Sequence, residues 1–345
     1  MRKSIAIGSR HIGPGEPVYV VAEMSANHNQ DFDKAVKILR AANAVKLQTY
    51  TPDTMTIPCD NEYFQIAKGT LWEGRNLYEL YGEAYTPWEW HPKLKKIAND
   101  LGLDLFSTAF DPSAVDFLEE MDVPIHKVAS FENGDIPLIE KMARTGKPLI
   151  ISTGMVTLGE IEEAVQAARN AGATQVALLK CTSAYPAPPE EMNLRTIPHL
   201  AEAFDVPTGL SDHTLEIAVP VAAVALGACI IEKHFTLSRD IPGPDSVFSL
   251  EPNEFEAMVQ AIRISEKALG AVRYEVGEKE AQSRAFRRSL FVVRDVKFGD
   301  PVTTENVRSI RPGHGLHPHY LKDVLNREFS RGVSRGTPLG WGMLK

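Results

Sequence analysis

The chain has 345 residues, 43% of them hydrophobic, so it can bury a sizeable core and, at roughly 100 to 200 residues per domain, is long enough for about two domains. Its 37 basic side chains are outnumbered by 45 acidic ones, a formal charge of −8, the wrong sign for gripping a polyanion by counterion release, so nucleic acid is excluded as a partner. Three cysteines with no CxxC pair are too few to staple a chain this long and wrongly spaced for a zinc knuckle, which points to a reducing cytoplasm.

The opening MRKSIAIGSRHIGPGEP carries basic residues, but its apolar run is too short for a secretory leader. Short, β-branched apolar runs then recur at 18–25, 44–50, 103–110, 125–132, 148–155, 176–183, 207–214 and 229–237, which predicts eight strands. Between them lie amphipathic helical patterns such as PSAVDFLEEMD and LGEIEEAVQAARNAG, several ending at a glycine, where a chain leaving a helix turns left-handed. The longest apolar stretch, Ala218 to Ile231, falls short of the about 20 residues that cross a bilayer. Interrupted by Pro220 and Gly227, it reads as a buried helix entering a buried strand, with no membrane partner.

Eight strand–helix units fit an α/β fold, a (β/α)8 TIM barrel over residues 1–272. A charged stretch at 273–283, where the alternation stops, reads as a linker. Residues 284–345 give short β-like runs, LFVVRDV and GVSRG, split by the turn signals Phe298-Gly299-Asp300-Pro301, Arg311-Pro312-Gly313 and Gly336-Thr337-Pro338, the mark of a small second domain.

Every predicted strand ends in a polar cluster, and in a barrel those C-terminal ends meet on one face. One polar strand end is ordinarily just an exposed end or a helix cap; eight together point to a site. His213 and His234 end neighbouring strands, an arrangement suited to a divalent metal with open positions for water or substrate. Lys46 and Lys127 sit inside apolar strands, where an unpaired ammonium is costly, so both are expected to need an anion. With the hydroxyls of Thr108, Ser130, Ser152 and Ser211 they would bound a cationic pocket for a phosphate and a carboxylate. A Schiff-base lysine is the rival reading of this cluster.

The strings AEMSANHNQ, KLQTYTPDTM, LFSTAFDPSAVDFL, KVASFE, ISTGM, CTSAYPAP, GLSDHT, EKHFTLSRDIPGPDSVFSLEP and the tail RRSLFVV, RSIRPGHGLHP, RGTPLGW resemble the nonulosonic (sialic) acid synthases over essentially the whole chain. Within that family, KGTLWEGRNLYELYGEAYTPWEW and KVASFE are more similar to the pseudaminic acid branch. The resemblance implies a TIM barrel with a C-terminal antifreeze-like (SAF, β-clip) domain. It implies condensation of phosphoenolpyruvate with 2,4-diacetamido-2,4,6-trideoxy-L-altropyranose and water, giving pseudaminic acid and phosphate with C–O cleavage.

By the same resemblance, His213 and His234 hold a divalent metal, Mn2+ in the first place, with Mg2+ or Co2+ as alternatives. Lys46, Thr108, Lys127, Ser130, Ser152, Ser183 and Ser211 bind phosphoenolpyruvate. Glu23 handles the attacking water's proton, while Asp245, Glu132 and Tyr185 meet the sugar. Arg311 crosses to the barrel of the other subunit of a homodimer with a swapped SAF domain. Trp72, Tyr78, Tyr81 and Tyr85 are expected to form an aromatic wall suited to a sugar lacking its 6-hydroxyl. N-acetylneuraminate or legionaminate synthesis is the alternative specificity, and non-catalytic sugar or ice binding the alternative of another class.

Two places depart from the family pattern. The link between helix DFDKAVKILRAAN and strand AVKLQTY is short, and SFENGDIP carries Asn133-Gly134 where apolar residues are expected. Displacement of Lys46 or Glu132, with weakened activity, is the expected consequence.

Overall fold

The computed structural model describes residues 4–8, 10–42 and 44–345. They form two compact units, divided between Gly270 and Ala271. The first opens with an antiparallel hairpin, β1 (Ile5–Ile7) and β2 (Arg10–Ile12). Then come β3 (Tyr19–Glu23), β4 (Ala44–Thr49), β5 (Asp104–Ala109) and β6 (His126–Val128). The series ends with β7 (Leu149–Ser152), β8 (Val176–Cys181), β9 (Thr208–Asp212) and β10 (Ile230–His234). These last eight, all parallel, close into a barrel when β10 pairs with β3. The expected barrel is present, each predicted run containing one of its strands.

Because side chains alternate across a strand, every second residue points into the barrel. Val20, Ala22, Val45, Leu47, Leu105 and Ile231 point outward and pack under the helices. Tyr19, Val21, Ala44, Phe106, Ile125, Ile150, Ala177, Leu179 and Ile230 fill the interior together with Ile5, Ile7 and Ile12 of the hairpin. The hairpin thus plugs the end where the strands begin, and the polar residues two positions further along each strand lie toward the opposite end. The IAI and RHI runs, three residues each, are too short to stand out as strands in the sequence.

Local chemistry fixes where the helices start. Asp111 accepts from the backbone N–H of Ser113 and Ala114, with Pro112 in the first turn. Thr157 and Glu160 form a reciprocal capping box at the start of helix Leu158–Asn170. The helix closing the first unit, Pro252–Leu269, is followed by a turn at Gly270.

The second unit contains the helix Glu278–Ser283, inside the segment read as a linker, and an antiparallel pair, β11 (Ser289–Val292) with β12 (Val307–Ile310). Isolated bridges such as Phe291 with Pro338 and Val296 with Val333 complete it. Leu290, Val292, Val302, Val307, Phe329 and Leu339 form its core. Among the described residues no helix is long and apolar enough to cross a membrane. The Ala218–Ile231 stretch is the helix Ala218–Ala225 followed by the start of β10.

Candidate active site

At the C-terminal end of the barrel, inward alternation brings Glu23, Lys46, Thr108, Lys127, Ser152, Ser211, Glu232 and His234 to one place. Glu23 is the ladder neighbour of His234 on one side and of Lys46 on the other. The short link ahead of β4, whose Asn43 lies outside the described residues, leaves this register intact. Lys46 keeps its inward position and is buried.

The two lysines have different surroundings. Lys46 forms an ion pair with Glu23, lies 3.7 Å from Glu232, and donates to Thr108 Oγ1 at 3.0 Å. Its nearest anions are therefore internal, so a phosphate or carboxylate bound here would share this ammonium with Glu23 and Glu232. Burial pulls the Lys46 ammonium down, but Glu23 and Glu232 outweigh it and leave it above the ordinary lysine value. Lys127 donates to Ser152 Oγ at 2.7 Å and to the Val128 carbonyl at 2.9 Å, both neutral. Among the described residues it has no carboxylate within 4.0 Å, and burial with the repulsion of Lys46 holds its ammonium below the ordinary value. A fully buried ammonium with only neutral partners is what an incoming dianion would complete.

The carboxylates divide similarly. Burial pushes Glu23 up to about 7 against the pull of Lys46, and the neighbouring Glu232 adds to the rise. Glu232 goes the other way: burial raises it, but Lys127 and Lys46 together bring it below the ordinary range. The closeness of Lys46 to Glu23 argues for an ionised pair, whereas the upward shift of Glu23 argues for protonation. One ammonium shared by two buried carboxylates reconciles them, with Glu232 the fixed anion and Glu23 poised to exchange a proton near neutrality. Glu232 was legible as a polar strand end, but its link to Lys46 was not.

Ser25, also missed in the sequence, ties two predicted residues together. Held in the left-handed region at φ 45°, it donates its N–H to Glu23 Oε1 at 3.0 Å and its hydroxyl to Asp245 Oδ2. Burial lifts the Asp245 carboxyl above its ordinary range despite these donors.

A polar cradle lies beside Lys127. Gly154 donates its N–H to Ser130 Oγ at 3.0 Å. A Cβ on Gly154 would come within 2.3 Å of Ser183 Oγ and 2.7 Å of Ser130 Oγ, so only glycine lets the two hydroxyls close on this backbone. Asn133, expected to disturb the neighbourhood, is fully buried and donates to the Ser152 carbonyl at 3.0 Å. It fastens the Ser130–Glu132 turn to the end of β7. Burial pushes Glu132 up to about 7, with its Oε2 buried and unpartnered.

His213 and His234 face each other with ring centroids 5.3 Å apart. Nδ1 of His213 lies 2.9 Å from the Thr182 carbonyl, which sets the neutral ring to donate there and leaves a lone pair on Nε2. Nδ1 of His234 is buried without a partner. Burial, reinforced by His213 and Lys46, holds His234 well below its ordinary value and keeps it neutral, the form that binds a metal. The described residues include no cluster of three or more His, Cys, Asp or Glu able to hold a metal ion. A two-imidazole site with its remaining positions left to substrate and water is the arrangement these residues fit. Cys181, another residue missed in the sequence, lies 4.0 Å from His213 Nδ1.

Above this layer opens a cavity of about 690 Å³ lined on its polar side by Ser25, Gln48, Glu132, Ser183, His234 and Asp245. Its apolar wall includes Tyr50, Leu71, Trp72, Tyr81, Tyr185 and Phe248. Trp72 donates its indole N–H to the Pro244 carbonyl at 3.0 Å, and Tyr185 lies 4.4 Å from the His213 ring, centroid to centroid. Two members of the expected wall are elsewhere: neither Tyr78, whose hydroxyl donates to Asp53 at 3.0 Å, nor Tyr85 lines the cavity. Arg311 belongs to the second unit and is exposed there.

Comparison with known proteins gives this geometry a context. Residues 33–274 match the NeuB family and residues 287–345 match the SAF domain. The chain belongs to the NeuB family. Among its NeuB-type relatives, the pseudaminic acid synthase of Helicobacter pylori is 44% identical over 330 residues, covering 94% of this chain and 97% of that protein. The Campylobacter jejuni pseudaminic acid synthase is 43% identical, covering 94% and 96%. The crystal structure of the Leptospira borgpetersenii sialic acid synthetase superposes with a TM-score of 0.73 at 31% identity, covering 82% of this chain and 95% of that one. Enzymes of the NeuB family are in general metal-dependent.

Proposed function

We propose that this chain joins phosphoenolpyruvate to 2,4-diacetamido-2,4,6-trideoxy-L-altropyranose with water, releasing pseudaminic acid and phosphate. The observation that carries the reading is Lys127, a buried ammonium with neutral partners only, beside a glycine-lined cradle and facing the same barrel mouth as two imidazoles. The choice of sugar rests on the two relatives named as pseudaminic acid synthases and on the apolar wall, which suits a 6-deoxy sugar with two acetamido groups.

Carbon three of phosphoenolpyruvate attacks the aldehyde carbon of the open-chain sugar. Carbon two takes up water, and the tetrahedral centre collapses by breaking its C–O bond to phosphate. Lys127, Lys46, Thr108, Ser130, Ser152, Ser183 and Ser211 hold the phosphate and carboxylate, so the reacting carbons meet preoriented. Glu23, poised near neutrality, takes the proton of the attacking water. Asp245, Glu132 and Tyr185 orient the sugar. A divalent ion on His213 and His234, Mn2+ in this reading, supplies Lewis-acid polarisation of the aldehyde oxygen when bound.

The cytoplasm, where phosphoenolpyruvate is made, is the proposed location. The working unit is proposed to be a homodimer with swapped SAF domains in which Arg311, exposed and without an ion-pair partner among the described residues, reaches the sugar bound in the other subunit. Purified protein with Mn2+ and phosphoenolpyruvate is expected to release phosphate with the altrose derivative and far less with N-acetylmannosamine. Phosphate release with N-acetylmannosamine alone would overturn the specificity, and none with any acetamido sugar would overturn the reaction.

A further inference from the structure

The alternation that points Glu232 and His234 into the barrel points Lys233 out of it, against Asp212, its ladder neighbour on β9. The two side chains form an ion pair at 2.6 Å, and both are completely buried. The Lys233 ammonium also donates to the Thr214 carbonyl and, at 3.3 Å, to Thr214 Oγ1. Asp212 Oδ1 in turn accepts the Thr214 N–H at 2.9 Å. All three ammonium hydrogens are thus matched to acceptors on Asp212 and Thr214, the two residues that flank His213. Lys233 itself immediately precedes His234.

Burying this pair is a poor way to gain stability, since desolvating two charges offsets most of their attraction and apolar side chains of the same volume would serve as well. What the pair adds is geometry. It locks the backbone on both sides of one imidazole to the residue beside the other. We propose that Lys233 and Asp212 are positioning residues, a strut behind the barrel wall that fixes the separation of His213 and His234 for a divalent cation. The proposal rests on the reading of those histidines as the metal ligands. Neither residue touches the cation or the substrates.

The test is Mn2+ binding to the metal-free full-length chain, followed by calorimetry and by the electron paramagnetic resonance signal of free Mn2+. Lys233→Met and the milder, nearly isosteric Thr214→Val are compared with the wild type, and melting curves report the folded fraction separately. Loss of groups that orient metal-binding histidines typically weakens affinity about 10- to 100-fold. A rise of about that size in Kd is expected for Lys233→Met, and about 3-fold for Thr214→Val, which removes one acceptor of three. Activity of both variants should return as Mn2+ is raised. If Lys233→Met does not fold, Thr214→Val and Asp212→Asn carry the comparison. Folded variants whose Kd stays within about 2-fold of the wild type overturn the strut alone, because a purely structural ion pair would lower the melting temperature without moving affinity. A wild-type chain that binds no Mn2+ overturns the metal site and the strut together.

Discussion

Lys127→Met should leave the protein at least as resistant to heat while lowering its activity strongly, whereas Lys46→Met should make it markedly less stable. Lys127 is buried with neutral hydrogen-bond partners only, so its removal relieves a desolvated charge and breaks no ion pair, while Glu232, which loses part of the positive field around it, keeps Lys46 at 3.7 Å. The side chain of methionine fills much the same volume. In the proposed reaction, however, Lys127 is the ammonium left for the phosphate, and charge-assisted hydrogen bonds are worth about 1.5–3 kcal/mol each. Two of its three hydrogens already go to Ser152 and Val128, so one is free for the phosphate, and losing that bond lowers kcat/KM for phosphoenolpyruvate by about 10- to 150-fold. Lys46 stands between Glu23 and Glu232, and removing it strands two buried carboxylates. Breaking a buried pair in this way typically costs about 3–5 kcal/mol. Scanning calorimetry and phosphate release on both variants check this. Equal destabilisation would mean that Lys127 is a structural lysine and that the anion site lies elsewhere.

Glu23→Gln should lower kcat by about 100- to 10,000-fold, the usual contribution of a positioned general base, with KM for phosphoenolpyruvate changed only a few-fold. The amide oxygen can still accept the Ser25 N–H, and Lys46, which loses this carboxylate, keeps Glu232 and Thr108, so the fold and the anion site should survive with some loss of stability, read from melting curves. What is lost is the ability to hold a proton reversibly near neutrality, which burial and Glu232 confer on this carboxyl. Steady-state kinetics at saturating phosphoenolpyruvate and metal separate the two effects. An unchanged kcat would remove Glu23 from the chemistry, and a large rise in KM with kcat intact would make it a binding residue instead.

The sequence displayed the barrel because a parallel strand buried on both faces leaves a continuous apolar run, and eight such runs were separated by helical patterns. It displayed the site because polar residues at eight strand ends are improbable unless they converge. Contacts between distant segments were not legible. Nothing local joins Glu232 to Lys46, or Ser25 to Asp245, because those pairings arise only when β10 closes on β3. The left-handed Ser25 and the hairpin plug were hidden for a local reason: a single strained residue and two three-residue strands leave no periodic trace. Composition alone also misjudged the aromatic wall. Tyr78 and Tyr85 are as aromatic as Trp72 and Tyr81, but only the latter two line the cavity. Asn133 was read as a disturbance because an amide looks out of place among apolar neighbours, yet its hydrogen bond to the Ser152 carbonyl makes it a fastening.

The central claim is that this barrel mouth couples two carbons and expels phosphate by cleaving the C–O bond of phosphoenolpyruvate. Single turnovers with phosphoenolpyruvate carrying 18O in the oxygen that bridges carbon two and phosphorus test it most directly, read by mass spectrometry of both products. The mechanism predicts that the label leaves with phosphate and that carbon two takes its new oxygen from water. Label retained at carbon two of the sugar acid, with unlabelled phosphate, would mean that the P–O bond breaks, and would contradict it.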